Sequence, residues 1–167
     1  MTKQLLLVRH GKSDWGNSHL ADFDRPLNPR GHRNAPEMAN RILNKNLVPE
    51  LIVSSPALRA LTTAKHFAQV WNKAPEQILE KPEIYEANTS TLLGVLNGLS
   101  DDYNRIAIFG HNPGFTDFAN YLSDAGIYNI PTCGTVLIEF TADHWSEISH
   151  HTGKLIEFDF PKSADED

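Results

Sequence analysis

Arg9, His10, Gly11 and Lys12 follow directly on the apolar run Leu5, Leu6, Leu7 and Val8. An imidazole and a guanidinium therefore stand where a buried strand leaves its sheet, which is where open α/β sheets bind their ligands. Gly11 permits a sharp turn there and close approach of an anion. A second segment repeats the arrangement, because Arg105, Ile106, Ala107, Ile108 and Phe109 read as a buried strand that runs into Gly110, His111, Asn112, Pro113 and Gly114. A third strand signal, Leu51, Ile52 and Val53, leads through Ser54 and Ser55 to Pro56, read as the start of a helix with Arg59 in its first turn. Two histidines and two arginines can thus converge on one anion. Phosphoryl transfer suits such a set: its transition state spreads negative charge over equatorial oxygens, and a guanidinium fork matches two of them. Neutral imidazole is a competent nucleophile near neutral pH. Spacing alone does not decide which histidine would attack.

The elements that must position these groups are read from periodicity. A polar loop over residues 13–29 carries Trp15, Phe23, Arg25 and Pro26. A helix is predicted over residues 30–45, with Ala35, Met38, Ala39, Ile42 and Leu43 as its apolar stripe and Pro36 near its beginning. A strand over 50–53 feeds a helix over 56–71, and an extended piece over 78–85 follows a proline-containing turn. Thr89, Ser90 and Thr91 then open a helix to about residue 99, their hydroxyls satisfying its free N–H groups. Next come the strand over 105–109 and a helix over 113–122, whose N-terminal N–H groups are expected to add to the anion site. Strands over 135–140 and 154–160 read as a hairpin-like pair at one side of the sheet. This alternation predicts a three-layer α/β/α sandwich with a mostly parallel central sheet. One domain is expected over residues 1–162, with a frayed acidic tail over 163–167.

In order and context these segments resemble the histidine phosphatase superfamily, the phosphoglycerate mutase-like proteins. Its signature is Arg-His-Gly after the first strand, with a second arginine and a second histidine further on. Arg9, His10 and Gly11 match the opening motif, Arg59 lies within residues 54–64, and His111 lies within Gly110, His111, Asn112, Pro113 and Gly114. The resemblance runs from Leu5 to about Phe160. Having no large cap insertion, the chain is most similar to the SixA-type phosphohistidine phosphatases. The resemblance implies a phosphoglycerate mutase-like fold, with His10 as nucleophile and Arg9, Arg59 and His111 around the phosphoryl group, His111 acting as a protonated clamp. It also implies an acidic residue that protonates the leaving group, for which Glu86, in the loop after the third strand, is the first candidate. Arg9, Gly11, Arg25, Arg59 and His111 form the expected substrate-binding set. The implied activity is a metal-independent phosphatase without a cofactor, acting on phosphohistidine in a protein substrate. Small phosphate monoesters are the alternative substrates, and a noncatalytic phosphate-binding module is the alternative function. A mutase would call for a cap to retain its intermediate.

Other residues have plainer readings. Arg25 can equally pair with a neighbouring aspartate, and Lys12 can be solvent-exposed. Trp15 and Phe23 either touch substrate or cover the core beneath their loop. His144, His150 and His151 are close enough in sequence to suggest a metal, but surface histidines are the safer reading, and zinc sites usually need three or four ligands. His19, His32 and His66 receive no role. Cys133, the only cysteine, is read as a small buried hydrophobe. A net charge of −6 over 167 residues argues against nonspecific nucleic-acid binding. No run approaches the ~20 apolar residues that span a membrane. A cytoplasmic protein is expected, its partner either a phosphorylated protein or a small phosphate ester, its oligomeric state left open.

Overall fold

The computed structural model describes residues 1–162, so the expected acidic tail lies outside the described residues. In chain order the elements are β1 (Thr2–Arg9), α1 (Pro29–Asn44), β2 (Leu51–Ser54), α2 (Leu58–Val70), β3 (Leu79–Glu80), α3 (Thr89–Asn97), β4 (Arg105–Gly110), α4 (Gly114–Leu122), β5 (Thr135–Thr141) and β6 (Gly153–Asp159). Among the described residues the six strands form one sheet in the order β3-β2-β4-β1-β5-β6. The β1–β4, β2–β4 and β2–β3 pairs are parallel, whereas β5 runs antiparallel to β1 and β6 antiparallel to β5. This is the expected mostly parallel sandwich, with the β5–β6 pair at one side.

The central strands are apolar on both faces because helices cover both. Leu5 and Leu7 of β1 join Ile106 and Ile108 of β4 in a core completed by α3 and α4 residues such as Leu92, Leu96, Phe115 and Phe118. Leu6, Val8, Ala107 and Phe109 face the other way, into a core with Met38 and Ile42 of α1 and Phe67 of α2. Side-chain alternation along two adjacent strands thus builds both cores at once.

Register then fixes the site. Arg9 of β1 is level with Gly110 of β4, and Phe109 of β4 is level with Ser54 of β2. His10, His111 and Ser55 therefore leave three adjacent strands side by side.

Several local expectations are corrected. α2 begins at Leu58 with Ala57 as its N-cap, so Pro56 precedes the helix, although Arg59 still falls in the first turn. The extended piece over 78–85 shrinks to the two paired residues of β3, followed by a 3-10 turn over Pro82–Ile84. Pro82 has no N–H to continue a ladder. The cap of α3 is Asn88, whose side chain accepts from the Thr91 N–H at 2.9 Å, in place of the three hydroxyls. No helix among the described residues is long and apolar enough to cross a membrane.

Candidate active site

His10 is pinned from both sides of β1. Its N–H donates to the Gly110 carbonyl at 3.0 Å, and its own carbonyl accepts from the Cys133 N–H at 2.9 Å. The imidazole Nδ1 lies 2.7 Å from the Gly11 carbonyl oxygen, which can only accept, so Nδ1 carries the hydrogen and Nε2 keeps its lone pair. Burial holds the His10 pKa well below 6.5; the Gly11 contact opposes this, while His111, Arg59 and Arg9 reinforce it. Gly11 has a cause of its own. A Cβ there would stand 3.1 Å from the Gly31 Cα, so the glycine lets the loop lie against α1. The close approach it permits is to a helix, and its N–H donates to Thr63 Oγ1 of α2 at 3.0 Å.

His111 stands beside it, with ring centroids 5.3 Å apart. Its Nε2 lies 2.8 Å from Ser55 Oγ, while its Nδ1 is buried without a partner in the described chain. Burial foremost, then the Arg59 charge, pushes the His111 pKa down to about 3. The imidazole is therefore neutral in the anion-free site, and a clamp role requires the arriving anion to raise that value. Two of the first N–H groups of α4 are already engaged within the chain. Phe115 donates to the His111 carbonyl at 3.0 Å, and Thr116 donates to Asn112 Oδ1 at 3.2 Å.

Arg9 and Arg59 complete the cluster, and both depress the pKa of each histidine. Arg9 Nη1 donates to the Ile130 carbonyl at 2.8 Å. Arg59 donates from Nη1 to the Asp22 carbonyl at 2.7 Å and from Nη2 to Asp22 Oδ2 at 2.9 Å. Arg59 and His111 line a cavity of 520 Å³ together with Asp22, Tyr85, Glu86 and Asn88. The structure thus brings two arginines and two histidines together at one sheet edge, with His10, His111 and Arg59 buried and Arg9 half-buried.

A sequence model described as the histidine phosphatase superfamily (branch 1) matches residues 5–111, the span from β1 to the histidine after β4. The chain belongs to this superfamily. An uncharacterized chloroplastic protein of Arabidopsis thaliana is 30% identical over 88% of the chain and 71% of its own length. Among solved structures, one described as the putative phosphohistidine phosphatase SixA from Agrobacterium tumefaciens is similar in fold, with TM-score 0.81, 24% identity, and coverage of 95% of this chain and 98% of that one. A protein histidine phosphatase SixA complexed with tungstate is similar with TM-score 0.79 and 20% identity, over 95% of this chain and 97% of that one.

In this member of the histidine phosphatase superfamily the remaining expected residues fall around the pocket rim. Arg25 is buried and ion-paired: Nη2 donates to Asp22 Oδ1 at 3.1 Å, and Nη1 donates to Ser13 Oγ. Its guanidinium also lies 3.6 Å from the centre of the Trp15 ring, and Trp15 is 73% exposed. Trp15 therefore covers Arg25 and leaves the hydrophobic core to others, and Phe23 sits edge-on to Tyr85 at 5.2 Å. Glu86 lines the cavity from an exposed position with positive φ.

Away from the site, His144 pairs with Asp101 at 2.9 Å, and His150 stacks on His151 with centroids 3.8 Å apart. Among the described residues no group of three or more His, Cys, Asp or Glu is placed to hold a metal ion. Cys133 is fully buried, and burial pushes its thiol pKa far up.

Sequence reasoning missed Asp22, Ser55 and Tyr85. Ser55 directly precedes the Pro56 that drew attention, so its place at a strand end was available as a signal. Asp22 and Tyr85 sit in irregular segments, where no periodicity marks a contact partner.

Proposed function

We propose that the chain is a phosphatase that transfers a phosphoryl group to His10 and then to water, with phosphohistidine in a protein as its substrate. The observation that carries this reading is the His10 imidazole: tautomer fixed by Gly11, held neutral by burial, and set beside two guanidiniums and a second histidine. The Nε2 lone pair attacks phosphorus in line, forming a P–N bond while the bond to the leaving group breaks. Arg9, Arg59 and His111 neutralise the equatorial oxygens. A second in-line attack, by water, breaks the P–N bond to His10, releases inorganic phosphate and restores the imidazole.

Glu86 is the candidate donor of a proton to the leaving atom. An imidazole leaves more readily than an alkoxide, so dependence on Glu86 distinguishes substrate types. A protein substrate is favoured by an open rim, where Trp15 is 73% and Phe23 38% exposed and no cap among the described residues encloses the cavity. The fold likeness to SixA structures supports the same substrate class.

The test is phosphate release from a histidine-phosphorylated carrier protein in the presence of EDTA, by the native chain and by His10→Ala. Release by the native chain that is lost in the variant is the expected result; equal release by both would overturn His10 as the nucleophile. The companion variant Glu86→Gln is expected to keep turnover of phosphohistidine and lose most turnover of phosphate monoesters. Equal loss on both would remove the distinction between leaving groups.

A further inference from the structure

Asp22 is the most heavily bonded side chain at the site, and neither the fold nor the proposed chemistry has yet required it. Its Oδ2 accepts from Arg59 Nη2 at 2.9 Å and from the Tyr85 hydroxyl at 2.6 Å, while Oδ1 accepts from Arg25 Nη2 at 3.1 Å. Its main-chain carbonyl accepts from Arg59 Nη1 at 2.7 Å. One residue of the first loop therefore joins that loop to α2 and to the segment after β3. The Arg59 side chain is only 7% exposed, and its Nε is buried without a partner in the described chain.

We propose that Asp22 is a positioning residue, which holds both Nη groups of Arg59 so that its unpartnered Nε–H, with the remaining Nη2 hydrogen, is presented to a phosphoryl oxygen. The inference rests on the reading of Arg59 as a phosphoryl-binding residue. Left to itself, a long guanidinium side chain would lose rotamer freedom on meeting the anion, and prior fixation removes that cost from binding. The opposed role, a carboxylate that competes with phosphate for Arg59, predicts the opposite result, tighter anion binding once the carboxylate is removed. A role as proton donor is disfavoured by ionisation. The Tyr85 hydroxyl first, then Arg25 and Arg59, hold the Asp22 carboxyl far below the usual range, so it carries no proton to give.

An amide cannot replace this carboxylate. Both carboxylate oxygens receive donors, so an Asn side chain would set its NH2 against Arg59 and Tyr85 in one orientation and against Arg25 in the other. The experiment measures tungstate binding by calorimetry, alongside kcat and KM, for the native protein, Asp22→Asn, Arg59→Ala and the double variant, each checked for folding by circular dichroism. Asp22→Asn is expected to weaken tungstate binding about tenfold, the loss of roughly one charge-assisted hydrogen bond. Arg59→Ala should weaken it more, and Asp22→Asn should add no further loss in that background. Asp22→Glu, which keeps the charge, should recover part of the affinity; should Asp22→Asn fail to fold, it supplies the comparison, its affinity falling between those of the native protein and Arg59→Ala.

A purely structural role would lower the melting temperature of Asp22→Asn while its folded fraction bound tungstate as the native protein does. Native or tighter binding by Asp22→Asn, with binding weakened in Arg59→Ala, would overturn the positioning role and leave the phosphatase reading standing. Native binding by Arg59→Ala would overturn the reading of Arg59 itself, and this inference with it.

Discussion

His10 is neutral because burial removes the water that would stabilise its charged form, and the nearby cations act in the same direction. Its ordinary value of 6.5 is thus moved down, so the nucleophilic form persists as the solution is acidified. For a substrate that does not titrate in the same range, kcat/KM should have no acidic limb near 6.5. A limb at that value, abolished by no other substitution, would mean that the imidazole is solvated. Cys133 offers a second check, since only thiolate reacts and burial pushes this thiol far up. Iodoacetamide should leave the native chain unmodified at mildly alkaline pH and alkylate it in urea, as read by mass spectrometry. His10, Arg9, Arg59 and His111 were legible in the sequence because each stands directly after a strand pattern or in the turn that follows one. Asp22 was not, because its partners Arg59 and Tyr85 lie 37 and 63 residues away and only the folded chain brings them near.

At the scale of elements, the contact between the first loop and α1 has no room for a side chain at Gly31. A Cβ on Gly31 would stand 2.3 Å from the Lys12 carbonyl oxygen, a backbone atom that cannot swing away. Gly31→Ala should therefore cost about 1–3 kcal/mol or more in urea unfolding, the range of an overpacked site. Asn28 caps α1 by accepting from the Gly31 N–H at 2.9 Å, and Asn28→Ala should cost about 1 kcal/mol in the same assay. A larger effect of Asn28→Ala than of Gly31→Ala would reverse the ranking of capping and packing. Helices α1 and α4 were legible to within a residue or two, since their apolar stripes face continuous cores. β3 was not, because an edge segment with one neighbour and a proline is set by what it pairs with, and periodicity carries no record of that. The α3 cap is Asn88, one residue before the Thr89, Ser90 and Thr91 hydroxyls read as satisfying the helix N–H groups, and its longer amide side chain reaches the Thr91 N–H.

For the molecule as a whole, two histidines kept neutral inside the fold make stability depend on pH. His111 falls from 6.5 to about 3 on folding, so between those values the unfolded chain binds more protons than the folded one. Its contribution is fully present above about 6.5 and is lost as the pH falls toward about 3. From about pH 7 to about pH 5 this one group should cost about 2 kcal/mol. Urea unfolding at both pH values should show a fall smaller by that amount in His111→Gln; an equal fall in both proteins would show that His111 is hydrated in the folded state. The alternation of strands and helices made the layered architecture legible, whereas the sheet order depends on pairings between segments far apart in the chain. That order has a consequence for how the site is held. β1 lies between β4 and β5, so the groove that receives it is assembled from residues 105–110 and 135–141, which follow it in the chain. The Cys133 N–H that holds the His10 carbonyl lies 123 residues further along the chain than the histidine it fixes. The backbone of His10 is thus held on its β5 side by a segment that joins the sheet edge from far along the chain.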